Sequence, residues 1–137
     1  CQLIGETMNR TEERKSAFEI IFTFPFKTDK SIDDIIESYS DYCESESLSD
    51  YIVGTVRGVY NNLDAIDEKI KGSIKFRRFE RLDNVCLAAM RLAVYEMLYS
   101  DEVPVPVAIN EAIELTKQYD DSLAGFVHGN LGIIARG

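Results

Sequence analysis

The stretch Phe79-Glu-Arg-Leu-Asp-Asn-Val-Cys-Leu-Ala-Ala-Met-Arg-Leu-Ala-Val-Tyr-Glu-Met-Leu-Tyr99 decides how the rest of the chain is read. Leu82, Val85, Cys86, Leu87, Ala89, Met90, Leu92, Ala93, Val94, Met97 and Leu98 make it apolar almost all round, and it lacks glycine and proline. A helix with so little polar surface is central, covered on every side by other elements. Its two inner charges, Arg91 and Glu96, must then pair with groups on neighbouring helices. An unpaired buried charge costs several kcal/mol.

Working outward, helical spacing of apolar residues recurs on both sides. A first helix is expected over about Thr11 to Phe24, with Ala17, Phe18, Ile21 and Phe24 inward and Pro25 as its stop. Ser31 is a good N-cap for a second, with Asp33 and Asp34 in its positive first turn and a stripe of Ile32, Ile35, Ile36, Tyr39 and Cys43. A third spans about Leu48 to Tyr60, burying Leu48, Ile52, Val56 and Val59. A short fourth carries Leu63, Ile66, Ile70 and Ile74. Beyond the central helix, a sixth begins at Pro106, which suits a first helical turn. It buries Ile109, Ala112, Ile113 and Thr116. A seventh starts near Asp121 or Ser122 and uses Leu123, Phe126, Val127, Leu131 and Ile134. Val103, Val105 and Val107 alternate as a strand would, but Pro104 and Pro106 remove two backbone donors between them. The expected architecture is all-α, a single compact domain of about seven helices.

At 137 residues the chain is long enough for a real core. Residues 1–7 are read as an upstream or non-native extension, because the helical pattern begins right after Met8; the domain is then 8–137. The three cysteines, Cys1, Cys43 and Cys86, fit no zinc or redox spacing and read as reduced thiols of a cytoplasmic protein.

The formal net charge is −9. Binding of nucleic acid by bulk charge is thereby excluded, and only local clusters of cations remain for it. Residues 31–50 hold seven acids and no base, whereas residues 69–81 hold six bases against Glu80 alone. Arg10, Arg14 and Lys15 stand near the start, mixed with Glu12 and Glu13. Arg10 and Arg14 fall at the edge of the first helix, off its apolar stripe, and are expected to be surface cations. No phosphate-loop, nucleophile-elbow or dinucleotide motif occurs. His128 is the sole histidine, and Glu111 and Glu114 lack the Glu-x-x-His partner of a di-metal bundle. Nothing here supports a catalytic site, a metal or a cofactor.

Five blocks carry a resemblance. Glu102-Val-Pro-Val-Pro-Val-Ala-Ile-Asn-Glu-Ala-Ile-Glu-Leu-Thr-Lys-Gln-Tyr119 resembles the signature of the NusB family, Val-Ala-Ile-Asn-Glu-Ala-[Ile/Val]-Glu-Leu-x-Lys after a proline-containing turn. Met90-Arg-Leu-Ala-Val-Tyr-Glu-Met97, Phe126-Val-His-Gly129 with Leu131, Arg14-Lys-Ser-Ala-Phe-Glu-Ile-Ile-Phe22, and Ile66-Asp67 with Ile70 resemble further family blocks in the same order. The resemblance runs from Met8 to Ile134. It implies two helical sub-bundles around a central helix. It also implies a transcription antitermination factor that binds single-stranded boxA-type RNA together with NusE, a ribosomal protein, and promotes transcription of ribosomal RNA operons.

Carried over residue by residue, the resemblance implies RNA contacts from Arg10, Arg14 and Lys15 at the N-terminus and from Ser122, Phe126 and His128 at the start of the last helix. Phe22 and Cys86 fall at partner-contacting positions. Arginines would hold phosphates and Phe126 would stack on a base. Asn110 and Glu111 would serve the scaffold, Glu111 at the positive end of the sixth helix and Asn110 tying the preceding loop to it. The chain departs from the pattern in places. Thr11, Glu12 and Glu13 stand where many relatives are basic. Asp-Ser-x-Lys-Phe-Val-Asn-Gly becomes Asp121-Ser-Leu-Ala-Gly-Phe-Val-His-Gly129, so Gly125 replaces a lysine and His128 an asparagine. Cys86 replaces an acid. A protein-interaction module of the same fold with little intrinsic RNA binding therefore stays open, as does a homodimer.

Overall fold

The computed structural model describes residues 9–24, 31–42, 48–74 and 78–136. Seven α-helices account for most of them: α1 Arg10–Phe22, α2 Ile32–Tyr42, α3 Asp50–Asn61, α4 Leu63–Ser73, α5 Asn84–Tyr99, α6 Val105–Tyr119 and α7 Ala124–Arg136. Two single 3-10 turns, Phe79–Arg81 and Asp121–Leu123, precede α5 and α7. No strand occurs among the described residues. The expectations for residues 1–7, Met8, Pro25 and Cys43 lie outside them.

Local chemistry explains the helix starts. The Asn9 side chain accepts from the Glu12 N–H at 2.8 Å while Glu12 reaches back to the Asn9 N–H, closing a capping box on α1. The Ser31 hydroxyl accepts from the Asp34 N–H at 3.2 Å, as the sequence suggests, and Ser49 does the same for Ile52 at the start of α3.

The long helix expected over Phe79–Tyr99 is broken. Phe79 and Leu82 are buried and pin the 3-10 turn; Asp83 then restarts the chain by accepting from the Val85 N–H at 2.8 Å. Helix α6 begins at Val105, one residue before the expected start, with Pro104 as N-cap and Pro106 at the second position. No intrahelical acceptor exists for either missing donor there. Asp121 and Ser122 do not open α7 directly: Asp120 accepts from the Ser122 N–H and hydroxyl, at 3.0 and 2.6 Å, and holds the 3-10 turn that precedes it.

Helix α5 is central. Residues 86–94 are all buried, and α5 packs against α1, α3, α4, α6 and α7. One sub-bundle consists of α1, α2 and α3; the other consists of α4, α6 and α7. Both close on α5, as the expected architecture requires. The charges of α5 are paired as anticipated. The Arg91 guanidinium donates two bonds to Asp67 of α4, each 2.8 Å, and Glu96 accepts from Arg14 of α1. These pairs tie both sub-bundles to the one helix, α4 at its middle and α1 in its C-terminal half.

Helix α3 reaches α5 through Gly58, where a Cβ would fall inside the ring of Tyr95. The missing side chain permits the approach. Beyond α1, Phe24 is buried and meets Tyr60 of α3 edge-on at 5.6 Å.

Candidate nucleic-acid interface

The family-like positions fall into two groups, on α1 and on the turn before α7. Helix α1 packs on α2, α3 and α5, and α7 packs on α4, α5 and α6, so the groups are joined only through the scaffold between them.

On α1, Arg10 and Lys15 are exposed. Arg10 lies 3.4 Å from Glu13 and stands over the Tyr51 ring of α3, 4.1 Å from its centroid. The acids that thin the cationic N-terminus thus have local tasks: Glu12 closes the capping box and Glu13 steadies Arg10.

Arg14 corrects the expectation of a surface cation. Its side chain is only 6% exposed. It donates to both oxygens of Glu96, Nε at 3.0 Å and Nη2 at 3.1 Å, and Nη1 lies 3.6 Å from Glu111 of α6. Burial works against the charge of this guanidinium. The hydrogen bonds and charge of Glu96, with smaller help from Tyr51 and Glu111, outweigh it and raise the pKa above the ordinary arginine value. A guanidinium committed in this way has little left to offer a phosphate.

Tyr51, which the apolar stripe of α3 does not single out, completes the cluster. Its hydroxyl donates to Glu96 at 3.1 Å, and burial first, then the Glu96 charge, push its pKa up to about 12. The signal that could have found it is its position three residues after Leu48 and one before Ile52, beside the stripe. Glu111 sits in the second turn of α6, not at the positive end, because the helix starts at Val105; its role is the contact with Arg14. Asn110 is exposed, and no hydrogen bond from it to the preceding loop is present.

Ser122, in the 3-10 turn, and Gly125, His128 and Gly129, in α7, are exposed, and His128 and Gly129 follow Gly125 by three and four residues, on one helical face. Phe126 is partly buried against the core, and its carbonyl accepts from the Asn130 side chain at 2.8 Å. A Cβ at Gly125 or Gly129 would meet open space. The backbone of this face is therefore unusually accessible, with a half-covered aromatic ring beside it.

The two partner positions differ. Phe22 is 44% exposed at the end of α1, with its ring 6.3 Å from that of buried Phe18. Tyr119, at the end of α6, is 47% exposed and approaches Phe18 from another direction, at 5.1 Å. The two form an exposed aromatic surface of which the sequence indicates only Phe22. Cys86 is buried in α5 at 2% exposure, beside the core residues Leu82, Leu87, Ala89 and Met90, which corrects the expectation that it faces a partner. Among the described residues, no three His, Cys, Asp or Glu side chains gather as metal ligands. No helix there is long and apolar enough to cross a membrane.

Comparison with known proteins finds relatives over nearly the whole chain. The transcription antitermination protein NusB of Acetivibrio thermocellus is 35% identical over 130 residues, covering 94% of this chain and 90% of that protein. The NusB of Clostridium botulinum strain Alaska E43 is 37% identical over 133 residues, covering 94% and 99%. The structure of T. maritima NusB superposes with a TM-score of 0.79 at 30% identity, covering 96% of this chain and 93% of that one. A crystal structure of the antitermination factors NusB and NusE in complex with dsRNA shares the fold, with a TM-score of 0.76 at 22% identity, covering 94% and 98%. The sequence profile of the NusB family matches residues 11–136, and the chain belongs to that family.

Proposed function

We propose that this protein is a transcription antitermination factor that binds single-stranded boxA-type RNA together with NusE and promotes transcription of ribosomal RNA operons in the bacterial cytoplasm. The observation that carries the proposal is the family match over residues 11–136, with relatives named as antitermination proteins. The geometry supplies the surfaces the activity needs. Arg10 and Lys15 offer phosphate contacts, and the face of Ser122, Gly125 and His128 lets a strand approach the α7 backbone. Phe126, partly buried against the core, is the aromatic residue that would stack on an unpaired base. Phe22 with Tyr119 gives NusE an aromatic surface. The work is binding and assembly and requires no bond to be made or broken.

One observation favours a second reading, a protein-interaction module of the same fold with little RNA affinity of its own. With Arg14 committed to Glu96, α1 keeps only two exposed cations. Fluorescence anisotropy with a labelled boxA oligonucleotide, with and without NusE, separates the two. The first reading expects weak binding alone, at least severalfold tighter binding with NusE, and a shallow salt slope of about −1.4 for two phosphate contacts on a single strand. Phe126→Leu keeps most of the packing and should weaken binding about tenfold, or about 1.4 kcal/mol. No binding even with NusE leaves the interaction module; equal affinity with and without NusE overturns the joint site.

A further inference from the structure

Arg10 is an exposed arginine near the end of a helix, and such side chains ordinarily sample many rotamers. Here its guanidinium is stationed over the Tyr51 ring, 4.1 Å from the centroid, inside the range of a cation–π contact. The ring itself is held in place. Its hydroxyl donates to Glu96 at 3.1 Å, and Glu96 is also held by three hydrogen bonds from Arg14. Glu13, one turn on, confines the guanidinium at 3.4 Å. A chain of contacts thus runs from the buried carboxylate of the central helix, through an aromatic ring on α3, to a cation on the surface of α1.

We propose that Tyr51 is a positioning residue for RNA binding: its ring, anchored through Glu96, holds the Arg10 guanidinium in place for a phosphate. This rests on the reading of Arg10 as a phosphate contact. A guanidinium over an aromatic face points its N–H edge away from the ring, and with Nε beside Glu13 the two Nη groups are left to donate to an anion. It also removes rotamer freedom before RNA arrives, lowering the entropy that binding would otherwise cost.

The test uses the intact protein with NusE and a labelled boxA oligonucleotide, and compares Tyr51→Phe, Tyr51→Leu, Arg10→Ala and the Tyr51→Leu/Arg10→Ala double variant. Tyr51→Phe keeps the ring but loses its hydroxyl anchor to Glu96, and should fall between wild type and Tyr51→Leu. Tyr51→Leu should weaken binding by nearly the factor seen for Arg10→Ala, with the double variant no weaker than Arg10→Ala alone. Arg10→Ala should flatten the salt slope by about 0.7, one single-strand phosphate contact. An RNA-independent readout accompanies these. The δ-methylene protons of Arg10 should be shifted upfield by the ring in wild type and Tyr51→Phe and not in Tyr51→Leu. Should Tyr51→Leu unfold, Tyr51→Met removes the ring while retaining bulk, and the same outcomes apply. Full affinity in a folded ringless variant, while Arg10→Ala binds weakly, overturns the positioning role. An Arg10→Ala protein with wild-type affinity and salt slope overturns the phosphate contact itself.

Discussion

Arg14→Ala should destabilise this protein far more than an arginine on the edge of a helix would suggest. The variant removes the three hydrogen bonds that Arg14 makes to Glu96, a carboxylate on the central helix whose side chain is 2% exposed. Glu96 would keep the Tyr51 hydroxyl at 3.1 Å and no other hydrogen bond found here. Removing one partner of a buried ion pair costs about 3–5 kcal/mol, because the remaining charge is left uncompensated. The residual Tyr51 contact argues for the lower end, about 3 kcal/mol. For a chain of this length each kcal/mol moves Tm by roughly 3–4 °C, so Tm should fall by roughly 10 °C. Arg10→Ala, four residues away, forfeits a surface cation–π contact and should cost no more than about 1 kcal/mol. Thermal melts followed by circular dichroism at 222 nm compare the two. A further variant, Arg14→Leu with Glu96→Leu, removes both charges and should recover much of the loss, since an apolar pair of similar size is often as stable as a buried ion pair. An Arg14→Ala protein melting within about 2 °C of wild type would refute the reasoning and return Arg14 to the surface role that its sequence position suggests.

Gly58→Ala should cost about 1–3 kcal/mol by overpacking, because the new methyl group would collide with the Tyr95 ring; Tyr95→Leu in the same chain should restore part of the loss, which denaturant titration can measure. Gly125→Lys should tighten RNA binding without loss of stability, since the side chain would enter open space on the face of Ser122 and His128; anisotropy titration and a thermal melt check both halves, and an unchanged affinity would place the RNA away from this face.

The fold was largely legible because its main determinant is local. Residues 86–94 carry apolar side chains on all sides of one helix, and that pattern has few solutions other than a central helix with others around it. The paired charges of α5 were legible for the same reason: Arg91 and Glu96 had to find partners, and Asp67 and Arg14 are those partners. The break before α5 escaped the periodicity because Phe79 and Leu82 are spaced as on a helix yet are buried by a 3-10 turn. Asp83 carried the signal, as an N-cap residue inside an apolar run, and tertiary packing of Phe79 decided how it was used.

The site was less legible, and the reason lies in how a family motif divides its residues. Arg14 and Phe22 belong to one block of sequence, yet the structure buries the first in an ion pair and exposes the second as an aromatic surface. Helical periodicity cannot make that division. Arg14 lies off the apolar stripe of α1 and is covered because Glu96 and Glu111, more than eighty residues away in sequence, meet it from α5 and α6. The contact is invisible until three helices have been packed. The same reasoning explains the thin cationic N-terminus. Glu12 completes the α1 cap and Glu13 confines Arg10. The acids reduce the number of phosphate contacts α1 can make while improving the order of one of them. On the proposed reading α1 has two exposed cations for phosphate, so affinity has to come from their placement and from a second protein surface, and Tyr51 and the exposed Phe22 and Tyr119 rings are the residues proposed to supply both.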